Sequence, residues 1–312
     1  MRPGAGWLVL WLVVVAAGQV AAFEVVRRVF VGTVRGQLVE TAALDGNSIG
    51  ERHIDGLVDT VLSAMTVVSL AAATVAIGFI ALIRGRVLLA AATTLLIVGA
   101  NLTTQVAKQL VERPDYGVDV ARAAAGNSMP SGHTTVAASV AVALVLVLPS
   151  QLRALAALVG TGYAALAGVA TLSAGWHRPS DAVAALLIVG AWAAVAGLLL
   201  VVAHTRDGTD PARPHRFAVL VLVVAGLVLL AGAALAMLLT DRSLSQDELL
   251  GRGRLLTAYV GGAAGIAGTA SLVMAIVLAT VHMVVPERGP FSRSGRPAGS
   301  AAARQAASAR AR

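Results

Sequence analysis

The sequence predicts an all-α protein, a polytopic membrane helix bundle. Of its 312 residues, 57% are hydrophobic and only 13% are charged, and the mean hydropathy is +0.81. Soluble domains carry about 25% charged residues. Long runs of Ala, Val, Leu and Gly without polar periodicity predict helices that are surrounded by lipid and by one another. We therefore assign the chain to the integral membrane proteins.

Eight segments are apolar enough to cross a bilayer, which takes about 20 residues for about 30 Å of hydrocarbon. The first of them could instead be a signal peptide, because Arg2 precedes an apolar run that ends in small residues. We favour an uncleaved helix, and residue 24 emerges on the outer side in either case. The eight segments, of which the fourth is the shortest, lie near 6–23, 57–83, 87–107, 134–149, 154–174, 179–203, 217–240 and 256–285.

The formal net charge of +8 comes almost entirely from arginine. Arginines at positions 2, 84–86, 153 and 206–216, and in the C-terminal tail, fall in alternate connections. Because basic residues concentrate in cytoplasmic loops, we expect a plasma membrane protein with both termini in the cytoplasm. This charge suits lipid headgroups rather than nucleic acid, for which aromatic residues at 4% are also sparse. The absence of cysteine excludes disulfides, thiol catalysis and thiolate metal sites.

Three further regions flank the predicted spans that carry motifs. The stretch 24–56 mixes valines with arginines and fits either an amphipathic piece on the outer surface or a solvated linker. Residues 205–285 form two additional transmembrane helices to which the sequence assigns no chemistry. Residues 286–312 are basic and rich in Pro, Gly, Ser and Ala, which predicts a disordered cytoplasmic tail.

Two short polar segments, 127–135 and 175–181, interrupt the apolar runs, and each carries one histidine. In the first, the run from Pro130 to His133 leads into the fourth span. Free backbone N–H groups and the positive helix end would meet there, which makes a natural anion site. Ser131 can donate a hydroxyl and Gly132 lets the backbone approach closely. By itself, this run is also an ordinary helix start.

In the second segment, His177 and Asp181 lie four residues apart at the start of the sixth span. One face of that turn can bring the carboxylate to the imidazole. Such a pair fixes the tautomer and makes the free ring nitrogen a better nucleophile. The alternative is a helix-capping aspartate beside an interfacial histidine. We interpret Trp176 as an interfacial anchor.

Lys108 is the only lysine in the chain, and Arg113 follows it at the outer end of the third span. A snorkelling lysine that complements the helix C-terminus is the alternative interpretation. Taken together, however, two histidines, one lysine, arginines and a helix N-terminus converge on one face. This combination predicts a phosphate site.

The order Lys108-x4-Arg113-Pro114, then Pro130-Ser-Gly-His133, then His177-x3-Asp181 resembles the three-part signature of the type 2 phosphatidic acid phosphatase superfamily. The resemblance covers roughly residues 1–204. It implies a six-helix membrane phosphatase core, to which this chain adds two C-terminal transmembrane helices.

The resemblance also implies roles. His177 would attack phosphorus to form a phosphohistidine, Asp181 would orient it, and His133 would protonate the leaving oxygen and later help activate water. No cofactor and no metal is required in that scheme. The groups that would hold the phosphoryl oxygens are Lys108, Arg113, Ser131 and the Gly132 amide.

Two departures from the family pattern remove a phosphate-binding arginine. Asp115-Tyr116 stands where the family usually has a second Arg-Pro, and Ala170-Thr171 stands where it has Ser-Arg. We hypothesise that Arg178 replaces the missing arginine. The alternative is that Arg178 pairs with a lipid headgroup.

These expectations describe a lipid phosphatase whose site faces away from the cytoplasm. Its substrate would be a polyprenyl phosphate or pyrophosphate, or a lipid of the phosphatidic acid type. The residue usage suggests a GC-rich bacterial genome and hence a carrier lipid of the cell envelope. A phosphotransferase to an acceptor alcohol and a non-catalytic lipid-phosphate binding or transport protein are the alternatives. The oligomeric state is left open.

Overall fold

The computed structural model describes residues 5–49, 67–83, 85–119, 127–203, 214–246 and 250–285. These residues form nine α-helices and no strand, which confirms the predicted all-α class. The predicted tail, the arginines at 2, 84, 206 and 213, and residues 57–66 of the second predicted span lie outside the described residues. The helices are α1 Ala5–Val26, α2 Val34–Asp45, α3 Val67–Ile83, α4 Val87–Leu110, α5 Gly132–Val147, α6 Ser150–Ser173, α7 Pro179–Ala203, α8 Arg216–Leu244 and α9 Arg252–Val284.

Six of these helices are long and apolar enough to cross a membrane, namely α1, α4, α6, α7, α8 and α9. The chain is therefore a multi-pass membrane protein, as predicted. Helices α3 and α5 are also apolar but have 17 and 16 described residues. At about 1.5 Å per residue, α5 is about 24 Å long, less than the hydrocarbon thickness. Among the described residues, six helices are thus long enough, against eight predicted spans, of which the second is only partly described. Helix α5 is the segment predicted to be shortest.

Small residues bring the helices of the bundle together. Gly168 of α6 lies so close to Ile266 of α9 that a Cβ on the glycine would be 2.6 Å from the isoleucine side chain. Gly99 of α4 faces the Trp192 ring of α7 in the same way, since a Cβ on this glycine would be 2.7 Å from the ring. Close approach through glycine is the usual way in which membrane helices gain packing contacts. Helix α9 packs on α6 and α7 as well as on α8, so it contacts the helices that carry the motifs.

Helix α1 packs along α7, where Gly190 contacts Gln19. It continues beyond the predicted end at residue 23, and a short π-helical turn extends it to Val31. Glu24 forms ion pairs with the arginines three and four positions later, at 2.7 and 2.6 Å. Ion pairs between residues three or four positions apart stabilise a helix, here at the charged end of α1.

Helix α2 corrects both interpretations of the stretch 24–56 for residues 34–45. It is neither a surface helix nor a solvated linker, because it packs against α7, α8 and α9. Thr33 caps its start by accepting a hydrogen bond from Gly36 N at 2.9 Å. The buried residues of α2 include two polar ones, Gln37 and Glu40.

The two polar segments meet at one end of the bundle. Ser131 N, just before α5, donates to the backbone oxygen of Asp181 in α7 at 2.9 Å. The predicted convergence of the two segments is therefore present.

Candidate active site

His177 lies in a tight turn between α6 and α7. The amides of Trp176 and His177 both donate to the backbone oxygen of Thr171, at 3.0 and 3.1 Å. Gly175 has a φ of 70°, a left-handed conformation that glycine adopts without steric cost. Pro179 begins α7, where proline's missing N–H leaves no helical hydrogen bond unmade. The turn thus holds a buried His177 immediately before the start of a helix.

The predicted contact between His177 and Asp181 is present, with 3.2 Å between Nδ1 and Oδ2. Asp181 is fully buried. Its Oδ2 also accepts from Arg178 N at 3.0 Å and from the hydroxyl of Ser128 at 2.6 Å. Asp181 therefore accepts from the amide that precedes α7, as a helix-capping residue does, and contacts the imidazole at the same time. Its role in orienting a nucleophile stays a prediction. A carboxylate at Nδ1 favours the tautomer that leaves Nε2 unprotonated.

His133 lies in the first turn of α5 and is half-buried. Its ring contacts the ring of Trp176, with 5.5 Å between centroids and an interplanar angle of 47°. Burial, and secondarily the proximity of His177 and Lys108, lower the pKa of His133 below its usual value. Trp176 is 52% exposed, as expected of an interfacial residue, and it also links His133 to the His177 turn.

Lys108 faces the start of α5. A Cβ placed on Gly132 would lie 3.9 Å from Lys108 Nζ. Ser131 is fully buried and caps α5, because its Oγ accepts from Thr134 N at 3.4 Å and from Thr134 Oγ1 at 3.0 Å. Helix N-termini expose backbone N–H groups without helical partners. An ammonium group and such amides together can bind an anion.

Arg113 follows the end of α4, with a side chain that is only 7% exposed. One guanidinium nitrogen, NH2, lies 3.6 Å from Asp181 Oδ1 and 3.6 Å from Glu40 Oε2. Within the described part of the chain, none of its side-chain nitrogens makes a hydrogen bond. The structure therefore places this predicted phosphate ligand between two carboxylates, and its contact with phosphate stays a prediction.

Arg178 is also buried, and its NH2 donates to Asp119 Oδ2 at 2.7 Å. The two side chains are 8% and 12% exposed. This largely buried ion pair would have to open before Arg178 could contact a lipid headgroup, the alternative interpretation. The replacement of the missing arginine by Arg178 stays a prediction.

Three residues of this cluster were missed in the sequence, namely Glu40, Asp119 and Ser128. Ser128 belongs to the first polar segment, and its position two residues before Pro130 could have drawn attention to it. No local signal marks Glu40 or Asp119, since each reaches its partner only through the tertiary fold. Among the described residues, no three His, Cys, Asp or Glu side chains are grouped as metal ligands would be, and metal independence stays a prediction.

Comparison with known proteins supports the resemblance over part of the chain. Residues 86–207 match the family model described as the PAP2 superfamily. This region contains α4 to α7 and all three motifs. No curated protein and no solved structure matched the chain. The resemblance seen in the motifs is thus confirmed over residues 86–207, the part of this multi-pass helical membrane protein that matches the PAP2 superfamily model.

Proposed function

We propose that this chain is a membrane phosphatase that hydrolyses a phosphate monoester or pyrophosphate of a lipid at the extracytoplasmic face. The observation that carries the proposal is the buried contact between His177 Nδ1 and Asp181 Oδ2. It sits beside a second histidine and a lysine at a helix N-terminus. The PAP2 superfamily region independently supports a phosphatase-type function. The arginine distribution supports a site facing away from the cytoplasm.

In the first step, Nε2 of His177 attacks phosphorus, and a nitrogen–phosphorus bond forms as the bond to the leaving oxygen breaks. Asp181 stabilises the positive charge that develops on the ring through Nδ1. His133 gives its proton to the leaving oxygen, which departs as a lipid alcohol or, from a pyrophosphate, as a lipid monophosphate.

In the second step, water attacks the phosphohistidine and its proton passes to His133. The nitrogen–phosphorus bond breaks, inorganic phosphate leaves, and both histidines return to their starting states. Negative charge on the phosphoryl oxygens persists through both steps. Lys108, the hydroxyl of Ser131 and the amide of Gly132 supply the positive charge and the donors that stabilise it, with Arg113 close by.

Arg178 provides a test of how the chain replaces the missing motif arginine. Removal of its guanidinium in Arg178→Ala should lower phosphate affinity and turnover, because charge stabilisation of the phosphoryl group is lost and the partly buried Asp119 loses that partner. Kinetics of phosphate release would check this. Intact turnover and substrate affinity would refute the replacement.

An apolar cavity of about 260 Å³ lies between α1, α4 and α7. Its wall includes Ala107, the residue before Lys108, and Ala191 on α7. A hydrocarbon chain in this cavity would keep its phosphate near Lys108, which favours a lipid substrate. We expect Ala191→Leu, which narrows the cavity, to raise KM for a long-chain phosphatidic acid and to leave a dihexanoyl analogue unaffected.

Ala231→Leu on the exposed surface of α8 is the matched control for that experiment, since the same atoms are added outside the cavity. An equal change in KM for both chain lengths would contradict the assignment of the cavity to the lipid chain. An equal effect of the two leucine variants would contradict it as well.

The experiment that tests the function is phosphate release by detergent-purified protein. The substrates would be polyprenyl pyrophosphate, polyprenyl phosphate, phosphatidic acid and phosphatidylglycerophosphate, each with EDTA present. We expect wild-type protein to release phosphate and His177→Ala to be inactive. Trapping labelled protein should show an acid-labile, alkali-stable phosphoryl group, as a nitrogen–phosphorus bond requires.

Each other outcome points to a different function. A labelled product that forms only with an added acceptor alcohol would indicate phosphotransfer. Headgroup binding without phosphate release from any of the four lipids would refute hydrolysis and favour a binding or transport protein.

A further inference from the structure

Glu40 of α2 reaches the catalytic cluster from outside the PAP2 superfamily region. It is 2% exposed. Its Oε1 accepts a hydrogen bond from Ser180 N at 2.8 Å, and its Oε2 lies 3.6 Å from Arg113 NH2. The same guanidinium nitrogen lies 3.6 Å from Asp181 Oδ1. Glu40 is therefore joined to Asp181 both through Arg113 and through the first turn of α7.

A second side chain of α2 holds the same segment. Gln37, one turn before Glu40, donates its amide to the backbone oxygen of Pro114 at 3.0 Å and to that of Val31 at 2.9 Å. Residues three apart on a helix share one face. One face of α2 thus contacts both Arg113 and the residue after it.

The surroundings of Glu40 make a buried charge costly there. An apolar cavity of about 210 Å³ between α2, α7, α8 and α9 borders Glu40 and Ser180. Burial and the nearby Asp181 carboxylate raise the pKa of Glu40 to about 7, although Arg113 and the Ser180 amide oppose this rise. A neutral glutamine would accept the Ser180 hydrogen bond without that cost. The cationic group that the charged form would attract is Arg113, whose NH2 lies 3.6 Å from Oε2.

The position of Arg113 affects Asp181 directly. With one carboxylate on each side, the guanidinium stays 3.6 Å from both. Without the charge of Glu40, Arg113 would be drawn onto Asp181, since paired guanidinium and carboxylate groups favour a bidentate contact. Such a contact would compete with His177 for the Asp181 carboxylate.

We propose that Glu40 is a positioning residue of the catalytic site, whose carboxylate holds Arg113 and the first turn of α7 so that Asp181 keeps its contact with His177. This inference rests on the proposed function of His177 and Asp181. It makes α2, which precedes the family region, part of the active site.

A double-mutant cycle tests the proposal. We would measure kcat and KM for phosphate release at pH 8, with phosphatidic acid and with polyprenyl pyrophosphate as substrates. The proteins compared are wild-type protein, Glu40→Gln, Asp181→Asn and the double variant. We expect Glu40→Gln to lower kcat about 10- to 100-fold, the range usual for residues that orient a functional group, with little change in KM. Because Glu40 acts through Asp181, the double variant should be no slower than Asp181→Asn.

Two further variants serve as a matched control and as a test of the charge. Glu24→Gln makes the same chemical change in an ion pair at the end of α1 and should keep wild-type kcat. Glu40→Asp retains the charge on a shorter side chain, and its kcat should lie between those of wild-type protein and Glu40→Gln.

The possible failures are distinct. The inference would be overturned if Glu40→Gln kept the wild-type kcat. It would also be overturned if the effects of Glu40→Gln and Asp181→Asn on kcat multiplied in the double variant. Either result would leave the proposed function standing. A Glu40→Asp variant no faster than Glu40→Gln would overturn the role of the charge. Absence of phosphate release by wild-type protein would refute the proposed function and this inference with it.

Discussion

The buried carboxylate of Glu40 predicts an unusual dependence of stability on pH. Its pKa is raised from 4.5 to about 7, mainly because burial disfavours the charged form and secondarily because Asp181 is close. Below about pH 4.5 the carboxyl group is protonated in the folded and unfolded chains alike. Its burial then takes nothing from the free energy of unfolding. As the pH rises from about 4.5 to about 7, the unfolded chain ionises while the folded carboxyl group stays protonated, and stability is lost.

The size of the effect follows from the pKa. At about 1.4 kcal/mol per pKa unit, a rise from 4.5 to about 7 corresponds to about 3 kcal/mol. Glutamine has nearly the same shape but cannot ionise. We therefore expect Glu40→Gln to match wild-type protein near pH 4.5 and to be more stable by about 3 kcal/mol at pH 8. At about 2 °C per kcal/mol for a large domain, the midpoint of thermal unfolding would rise by about 6 °C.

Thermal unfolding of detergent-purified protein from pH 4.5 to pH 8, at one scan rate, measures this difference. Glu24→Gln is the matched control, since its carboxylate lies outside the buried cluster. A difference between Glu40→Gln and wild-type protein that does not change with pH would refute the reasoning. A variant that becomes relatively less stable as the pH rises would show instead that the attraction of Arg113 outweighs burial.

Two further substitutions probe the support of Asp181 and of the His177 turn. Ser128→Ala removes a 2.6 Å hydrogen bond to the buried Asp181 carboxylate and should cost about 1.5–3 kcal/mol of stability, measured by denaturant unfolding; an unchanged midpoint would contradict this. In Gly262→Ala, the new Cβ would lie 2.6 Å from Pro179, whereas at Gly265 the nearest atom would be 3.6 Å away. We expect Gly262→Ala to destabilise the protein by about 1–3 kcal/mol and Gly265→Ala to be nearly neutral; equal midpoints for the two alanine variants would refute a close contact between α9 and the His177 turn.

Local patterns predicted much of the candidate site because its groups lie close together in the chain. His177 and Asp181 are one helical turn apart, so helix geometry alone brings them into contact. The convergence of the two polar segments followed from the alternation of spans, which returns every second connection to the same face. The boundaries of α4 and α7 were likewise close to the prediction, since Pro114 and Pro179 limit where a helix can run.

Groups that meet across the bundle could not be predicted in this way. Glu40 and Ser180 are 140 positions apart, and nothing near Glu40 distinguishes it from the other acidic residues of its stretch. Arg178 and Asp119 are 59 positions apart. The partners of Arg113 and Arg178 thus depended on packing that hydropathy does not encode, and both arginines proved more buried than a loop arginine is expected to be.

Composition by itself determined that this protein crosses a membrane many times, because only helices satisfy the backbone in lipid and apolar runs of sufficient length reveal them. Motif spacing determined which histidine meets which carboxylate, because both lie on one turn. The tertiary structure decided that α2 is buried in the bundle and that α9 supports the His177 turn. It also decided that Asp181 shares Arg113 with a second carboxylate. These contacts depend on side-chain packing between helices distant in sequence, for which one chain of similar apolar segments carries no local signal.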